Sequence, residues 1–243
     1  MKLPEKSLGI AAVVFVVVTL LLFYTAYDKQ AKALVPQKLF DVVTFKDMAN
    51  SLREINKVLA LASIGLIAIS LIIGPLSRMF PRHFAHLVPH RKFIGLTGFA
   101  FALFHSVYSA LVIYGADINK MIFENPKMFG LISGLIALAI FLVMAITSNA
   151  QSVKKMGYDK WKAVQTFGYV GLALAALHFA LLEIKPDVGL DVRPYGLLFL
   201  ALPIIALVVR GGIIFLKAPE RTKYEHHTGE EHPKEVQKLL NQK

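Results

Sequence analysis

Two histidines end the same eleven-residue pattern in two different apolar segments of the chain. The pattern runs from Gly95 to His105 as GLTGFAFALFH and from Gly168 to His178 as GYVGLALAALH. An ionisable side chain inside a membrane is costly and usually functional, so two histidines in matching settings favour a shared partner. The chemistry that this arrangement predicts is a haem iron held between the two imidazoles.

The glycines of each repeat precede its histidine by seven and ten residues, close to two and three helical turns. They are Gly95 and Gly98 in the first repeat, and Gly168 and Gly171 in the second. Small residues on the histidine's own helical face would let a flat macrocycle or a neighbouring helix approach the backbone. In the alternative interpretation, the glycines are only packing positions and each histidine forms a hydrogen bond between helices.

The composition identifies an integral membrane protein. Of the 243 residues, 56% are hydrophobic, and several apolar runs reach about twenty residues. The absence of cysteine excludes thiolate-ligated haem, iron–sulfur clusters and covalent haem attachment, so any haem is haem b held by nitrogen ligands. A net charge of +11 is typical of basic loops beside a membrane, and no nucleic acid is needed to explain it.

The apolar runs predict an all-α membrane domain, residues 1–216, in which six helices form a bundle. His105 and His178 then place the predicted haem between the third and fifth helices. The predicted helices are 8–27, 55–76, 93–114, 129–147, 163–183 and 195–216. The first helix resembles a signal peptide but has no clear cleavage site, so we expect a retained anchor. Residues 217–243 are polar and predict a cytoplasmic tail.

Basic residues near the helix ends predict the orientation of the chain. Groups of Lys and Arg after the second, fourth and sixth helices fall on one side of a six-helix topology, together with Lys2 and Lys6. By the positive-inside rule, this side and both termini are cytoplasmic in a multi-pass protein of the plasma (inner) membrane. Helices three and five then run in the same direction, which places His105 and His178 at similar depths in the outer half of the membrane.

Short motifs occur in a fixed order between Gly74 and Phe179. They are GPLSR at 74–78, HRKFIGL at 90–96, FALFHSVY around His105, ITSNAQSVKKMG at 146–157, the region of Trp161, and ALHF around His178. In this order they resemble the ferric-reductase-like transmembrane family, and within it the haem-binding membrane subunit of the bacterial periplasmic methionine-sulfoxide reductase system. The resemblance implies a six-helix b-type cytochrome whose third and fifth helices supply the haem ligands.

The resemblance also implies where this chain differs. Two-haem members of the family carry a second histidine thirteen or fourteen residues inward on each ligand helix, and those positions are Arg91 and Gln165 here. We therefore expect one haem. If a haem were displaced from the usual inner position, His90 would be the candidate ligand. The 27 residues after Leu216 are too few for a flavin- and nicotinamide-binding domain. Electrons are expected from a separate reductase, a membrane quinol, or an FMN or quinone bound at the inner face.

Two arginines near the membrane boundaries have alternative roles. Arg210 interrupts the sixth apolar run, and it either extends to the cytoplasmic surface or contacts a flavin phosphate, a quinone or a haem propionate. Arg193 and Lys185, beyond the fifth helix, are candidate partners for haem propionates, because charge-assisted bonds to carboxylates are strong where water is scarce.

These observations predict a membrane cytochrome b, surrounded by lipid, that acts as the electron-transfer subunit of an oxidoreductase. It would carry electrons from a flavin reductase or quinol to a redox partner on the outer face, such as a sulfoxide-reducing enzyme, without catalytic residues of its own. Two imidazole ligands leave no open coordination position and so favour electron transfer over oxygen chemistry. The alternatives are a stand-alone ferric-chelate reductase and a haem-free transporter or assembly protein.

Overall fold

The described part of the protein is almost entirely helical. The computed structural model describes residues 5–185, 187 and 189–217, so the predicted tail from residue 218 onward lies outside it. The elements in chain order are α1 Glu5–Thr19, β1 Tyr27–Asp28, β2 Ala33–Leu34, α2 Pro36–Val43, α3 Met48–Met79, α4 Pro81–Phe84, α5 Arg91–Tyr108, α6 Met128–Thr147, α7 Ala150–Met156, α8 Tyr158–Thr166, α9 Gly168–Glu183, β3 Ile184–Lys185, β4 Gly189–Leu190 and α10 Pro194–Lys217.

Five helical segments of the described chain are long and apolar enough to cross a bilayer, which confirms an all-α multi-pass membrane protein. They are Met48–Met79, Pro81–Ile113, Met128–Thr147, Tyr158–Glu183 and Pro194–Ile214. The first apolar helix, Leu8–Tyr24, has fewer residues than the roughly twenty that a spanning helix needs. A sixth crossing therefore stays a prediction.

Helix α3 lies at the centre of the bundle. In its apolar span 67% of the residues are buried, against 6–22% in the other four spanning segments. One side of α3 packs Leu61 and Leu66 against α1 and α10, and the other side packs Leu71 against α6 and α9. It begins at Met48, where the side chain of Asp47 accepts a hydrogen bond from the backbone N–H of Asn50. Because α3 packs against α1, α5, α9 and α10, it positions α5 and α9, which carry the two histidines.

The bundle has two chemically different ends. We call the end that carries Arg78, Arg91, Lys92 and Lys162 the basic end, and the end that carries the β1–β2 and β3–β4 hairpins the hairpin end. Helices α5 and α9 both run from the basic end to the hairpin end, whereas α3, α6 and α10 run in the opposite direction. His105 and His178 consequently lie on parallel helices.

Ion pairs tie the two hairpins together. The Nζ of Lys29, in the first hairpin, lies 2.6 Å from a carboxylate oxygen of Asp191, just after the second hairpin, and Lys185 pairs with the same carboxylate. Hydrogen bonds from Lys185 and Lys29 lower the pKa of Asp191 to about 2, so this carboxylate stays charged at neutral pH. Such exposed pairs contribute little stability, and their main effect is to fix the hairpins side by side.

A partly buried ion pair links α3, the residue before α10 and the end of the first apolar helix at the hairpin end. The two Nη atoms of Arg193, directly before α10, donate to the two carboxylate oxygens of Glu54 on α3 at 2.8 and 3.0 Å. The same guanidinium donates to the carbonyl oxygen of Tyr24 and lies 4.7 Å from the centroid of the Tyr24 ring. Arg193, predicted as a propionate partner, thus has protein partners in the described structure.

We expect Glu54→Ala to lower the free energy of unfolding by about 2 kcal/mol, because it leaves the partly buried Arg193 charge uncompensated. The measurement is the thermal unfolding midpoint of the purified protein in detergent. Lys57→Ala is the matched control, since Lys57 also pairs with Glu54, at 3.7 Å, but is half exposed, and such exposed pairs contribute little stability. Equal midpoints for the Glu54→Ala variant and the unmodified protein would contradict a stabilising role for this pair.

Candidate functional site

The structure brings His105 and His178 together from α5 and α9. Their ring centroids lie 6.3 Å apart, and the two ring planes are inclined by 71°. A metal bound by one nitrogen from each of two opposite imidazoles separates the ring centroids by about 6 Å. Each metal–nitrogen bond is about 2 Å long, and each nitrogen lies roughly 1 Å from the centroid of its own ring. The separation therefore fits two axial ligands of one metal ion.

Hydrogen bonds determine which nitrogen of each imidazole is available. The Nδ1 of His178 lies 2.8 Å from the carbonyl oxygen of Gly130, and the Nδ1 of His105 lies 3.3 Å from the carbonyl oxygen of Asn56. A carbonyl oxygen only accepts hydrogen bonds, so Nδ1 carries the proton in both rings. The lone pair is then on Nε2, which is the arrangement that metal-ligating histidines adopt.

Asn56 is a site residue that the sequence reasoning missed. Its side-chain oxygen lies 3.1 Å from the Nδ1 of His105, and its side-chain nitrogen donates to Ser109 at 2.9 Å. The residue is 4% exposed, so the amide is held among helices α3 and α5 with its hydrogen bonds formed. A polar residue two positions before the run of apolar residues that begins at Val58 on α3 was the signal that could have identified it.

Gly134 on α6 was also missed, and it forms the surface against which the His178 ring lies. A Cβ atom at Gly134 would be 2.5 Å from Nδ1 and 2.9 Å from Cε1 of that ring, so only glycine leaves room for it. Gly130 and Gly134 are four residues apart, the spacing of small residues at close helix contacts in membranes. That spacing was the available signal.

A cavity of about 340 Å³ adjoins the two imidazoles. Its wall is mainly apolar and includes Ile64, Leu138 and Leu172. Its polar residues include Asn56, Ser109 and the charged Lys57 and Glu183. Cofactor sites are typically apolar clefts of this kind with a small number of placed polar groups. The lining and the imidazole pair together fit a flat, largely apolar group that contains a metal.

The four glycines of the repeat pack against neighbouring helices. A Cβ at Gly95 would meet Ser70, and one at Gly98 would meet Ile67, both on α3. A Cβ at Gly168 or Gly171 would meet side chains of α6, namely Met144 and Phe141 respectively. Of the two roles that the sequence left open for these glycines, their contacts match helix packing, which in turn fixes the spacing of the two histidines.

The side chains of Arg91 and Gln165, the two positions that the sequence analysis singled out, are engaged by other helices. The Nε of Arg91 donates to the carbonyl oxygen of Ser70 at 2.9 Å. The amide nitrogen of Gln165 donates to Thr147 at 3.0 Å and to the carbonyl oxygen of Met144 at 3.3 Å. These side chains tie α5 to α3 and α8 to α6, and neither is an imidazole that could ligate iron.

His90 and Arg210 occupy different places. His90 is 8% exposed and packs beside Gly9 of α1, and it does not line the cavity beside the two imidazoles. Arg210 on α10 lines the cavity at the basic end, where its guanidinium lies 5.4 Å from the centroid of the Tyr169 ring.

The model of the ferric reductase like transmembrane component family matches residues 58–176, about half of the chain. The chain belongs to this family. The matched region contains His105 and ends two residues before His178. It begins within α3 and therefore includes most of the central helix.

The chain is similar to individual relatives as well. It is 25% identical over 137 residues to the heme-binding subunit MsrQ of protein-methionine-sulfoxide reductase from Brucella ovis, and equally so to that from Brucella suis. The alignment covers 56% of this chain and 60% of each relative. The magnetosome protein MamZ of Paramagnetospirillum magneticum is 32% identical over 95 residues, which are 39% of this chain and 15% of MamZ. The chain thus spans less than two thirds of these relatives.

We expect Gly134→Ala to displace the His178 ring and to cost about 1–3 kcal/mol of stability through overpacking. The thermal unfolding midpoint should fall by several degrees. Gly211→Ala is the matched control, because a Cβ at Gly211 meets nothing within 4 Å and should leave the midpoint unchanged or slightly raised. Identical midpoints in the two variants would show that the ring does not lie against Gly134.

Proposed function

We propose that the chain is a b-type membrane cytochrome whose His105 and His178 are the axial ligands of one haem. The observation that carries the proposal is the 6.3 Å separation of the two ring centroids, with each Nδ1 bonded to a carbonyl oxygen. The MsrQ relatives, which are named as heme-binding subunits, support the same cofactor. Haem bound by two imidazoles would supply a one-electron iron couple without an open coordination position.

The residues of this chain would position and insulate that cofactor. Asn56 and the Gly130 carbonyl orient the two imidazoles, and Gly134 lets α6 approach His178 closely. The apolar wall of the cavity, including Leu138 and Leu172, would exclude water and so favour electron transfer over reactions with solvent. The four repeat glycines hold the two ligand helices against α3 and α6.

In the proposed membrane arrangement, six helices cross the plasma membrane, the Leu8–Tyr24 helix among them, and both termini with the basic end are cytoplasmic. Electrons would enter at the basic end from a flavin reductase or quinol, with FMN or quinone as the candidate carrier. They would leave at the hairpin end to an extracytoplasmic redox partner. The MsrQ relatives, named for a methionine-sulfoxide reductase, support a sulfoxide-reducing enzyme as that partner.

A pyridine haemochrome assay on the purified protein tests the ligand pair. We expect about one haem per chain, because Arg91 and Gln165 replace the second histidine pair, and loss of most of it in His105→Ala and in His178→Ala. His90→Ala is the matched control and should keep the full haem content. Two haems per chain, or loss of haem in His90→Ala, would contradict the proposed ligation.

Asn56→Leu should raise the midpoint potential of the haem, because the His105 imidazole then keeps only its longer contact with the Asn56 backbone carbonyl, becomes a less basic ligand and stabilises ferric iron less. Asn56→Asp should lower the potential, since the carboxylate is a stronger acceptor. Spectroelectrochemical titration measures both shifts. Asn50→Leu, on the exposed start of α3, is the control; equal potentials in all four proteins would rule out a positioning role for Asn56.

A further inference from the structure

Helix α2 at the hairpin end carries apolar side chains on two of its faces. Leu39 and Val42 are three residues apart and share the face that packs on the bundle, where Val42 is buried. Phe40 and Val43 share a second face, and their exposed fractions are 62% and 61%. A helix that only covers the bundle would carry polar residues on its outer face. The second apolar face of α2 is therefore unusual for a segment outside the membrane-spanning helices.

The exposed apolar surface continues beyond the end of α2. Phe45, in the turn after α2, and Met48, the first residue of α3, are both exposed. The φ angle of Phe45 is 52°, a left-handed conformation that a bulky residue rarely adopts and that costs free energy. The fold thus holds an aromatic ring at the surface in a strained turn. We call the four residues Phe40, Val43, Phe45 and Met48 the α2 patch.

The α2 patch lies above the bilayer in the proposed membrane arrangement. The apolar run of α3 begins at Val58, ten residues after Met48, so Met48 lies about 15 Å beyond the hydrocarbon boundary. The hydroxyl of Ser51 donates to the carbonyl oxygen of Asp41 at 3.4 Å, which holds α2 beside the start of α3. Headgroups extend only about 5–8 Å beyond the hydrocarbon. The patch therefore faces water rather than lipid.

Positive charge borders the patch. The four carboxylates between Asp28 and Lys57 all have partners within the chain: Asp28 pairs with Lys38, Asp41 with Lys46 and Glu54 with Arg193, and Asp47 accepts a hydrogen bond from Asn50. Lys32 and Arg53 are exposed and form no ion pair among the described residues. The charge that remains for a binding partner is thus positive, and it is complementary to carboxylates.

The rest of this chain and a second copy of it do not fit this surface. The residues before Glu5 and after Lys217 join the bundle at the basic end, on the other side of the membrane. A second copy would bring Lys32 and Arg53 towards the same cations across a twofold axis, and like charges across an interface are costly. A soluble protein that carries an apolar face and carboxylates matches both features of the surface.

The patch is also close to the histidine pair along α3. The side-chain oxygen of Asn56 lies 3.1 Å from Nδ1 of His105. Asn56 follows Met48 by eight residues, a rise of about 12 Å along the helix. A protein bound to the patch would therefore lie over the end of the bundle that is nearer to the imidazoles.

We propose that the α2 patch is the docking surface for a soluble protein with an apolar face surrounded by carboxylates. The four apolar residues form the buried centre of the contact, and Lys32 and Arg53 form a charged rim that orients the partner. The inference rests on the proposed function in one respect, because it takes this protein to be the extracytoplasmic electron acceptor. The contact itself does not require haem.

Binding of a purified sulfoxide-reducing enzyme from the same organism tests the surface. The protein is held in phosphatidylcholine nanodiscs, and biolayer interferometry follows the complex as the soluble enzyme is titrated. Phe40→Ser should weaken binding about tenfold, because it removes an aromatic side chain from the centre of the contact. Phe123→Ser is the matched control, since Phe123 is exposed at the same end but lies outside the patch. No binding by the unmodified protein, or equal binding by the two variants, overturns the proposal.

Arg53→Gln tests the charged rim. It should weaken binding severalfold at low salt and make less difference at high salt, because salt screens exposed charges. An unchanged affinity at low salt would contradict the role of the rim.

Photo-crosslinking in intact cells identifies the occupant. With p-benzoylphenylalanine in place of Phe40, we expect an adduct with the same sulfoxide-reducing enzyme. Adducts only with phospholipid or with a second copy of the chain, or no adduct, overturn the proposal. Haem content of the purified samples separates the two proposals. Full haem content with equal binding by Phe40→Ser and Phe123→Ser refutes the docking surface alone, whereas absence of haem from the unmodified protein refutes the proposed function.

Discussion

The structure depends on hydrogen bonds that two imidazoles donate to carbonyl oxygens inside an apolar bundle. His105 donates towards Asn56 of α3, and His178 donates to Gly130 of α6. Where water is scarce, an imidazole without such a bond would be costly, and with it the ring has one orientation and one free nitrogen. The same two bonds therefore satisfy the polar groups and direct each remaining lone pair, so packing and metal binding require the same arrangement.

Charge is distributed unequally between the two ends of the bundle. At the hairpin end, Glu54, Asp191 and Asp28 each pair with a basic residue, and the described ion pairs hold hairpins and helices together. At the basic end, Arg78, Arg91, Lys92 and Lys162 have no such partners among the described residues. These carboxylates of the hairpin end are thus internally neutralised, whereas the basic end presents a field that attracts anions.

Much of the site could be predicted from sequence because it follows from local patterns. Apolar runs predict five helices that are long and apolar enough to cross a bilayer, and the repeated spacing of glycine and histidine predicts that His105 and His178 meet. The central place of α3, its start at Met48 and the partners Asn56 and Gly134 could not be predicted, since they depend on which helices pack together. Arg193 illustrates the limit: its sequence position indicates a boundary charge, but only the fold shows Glu54 beside it.

The central claim is that one iron is bound by both imidazoles, and electron paramagnetic resonance of the oxidised protein tests it most directly. Two imidazole ligands predict a low-spin ferric signal in the purified protein, and replacement of either His105 or His178 by Ala should convert any remaining iron signal to high spin. A high-spin ferric signal in the unmodified protein, or a low-spin signal that survives in both single variants, would contradict the account.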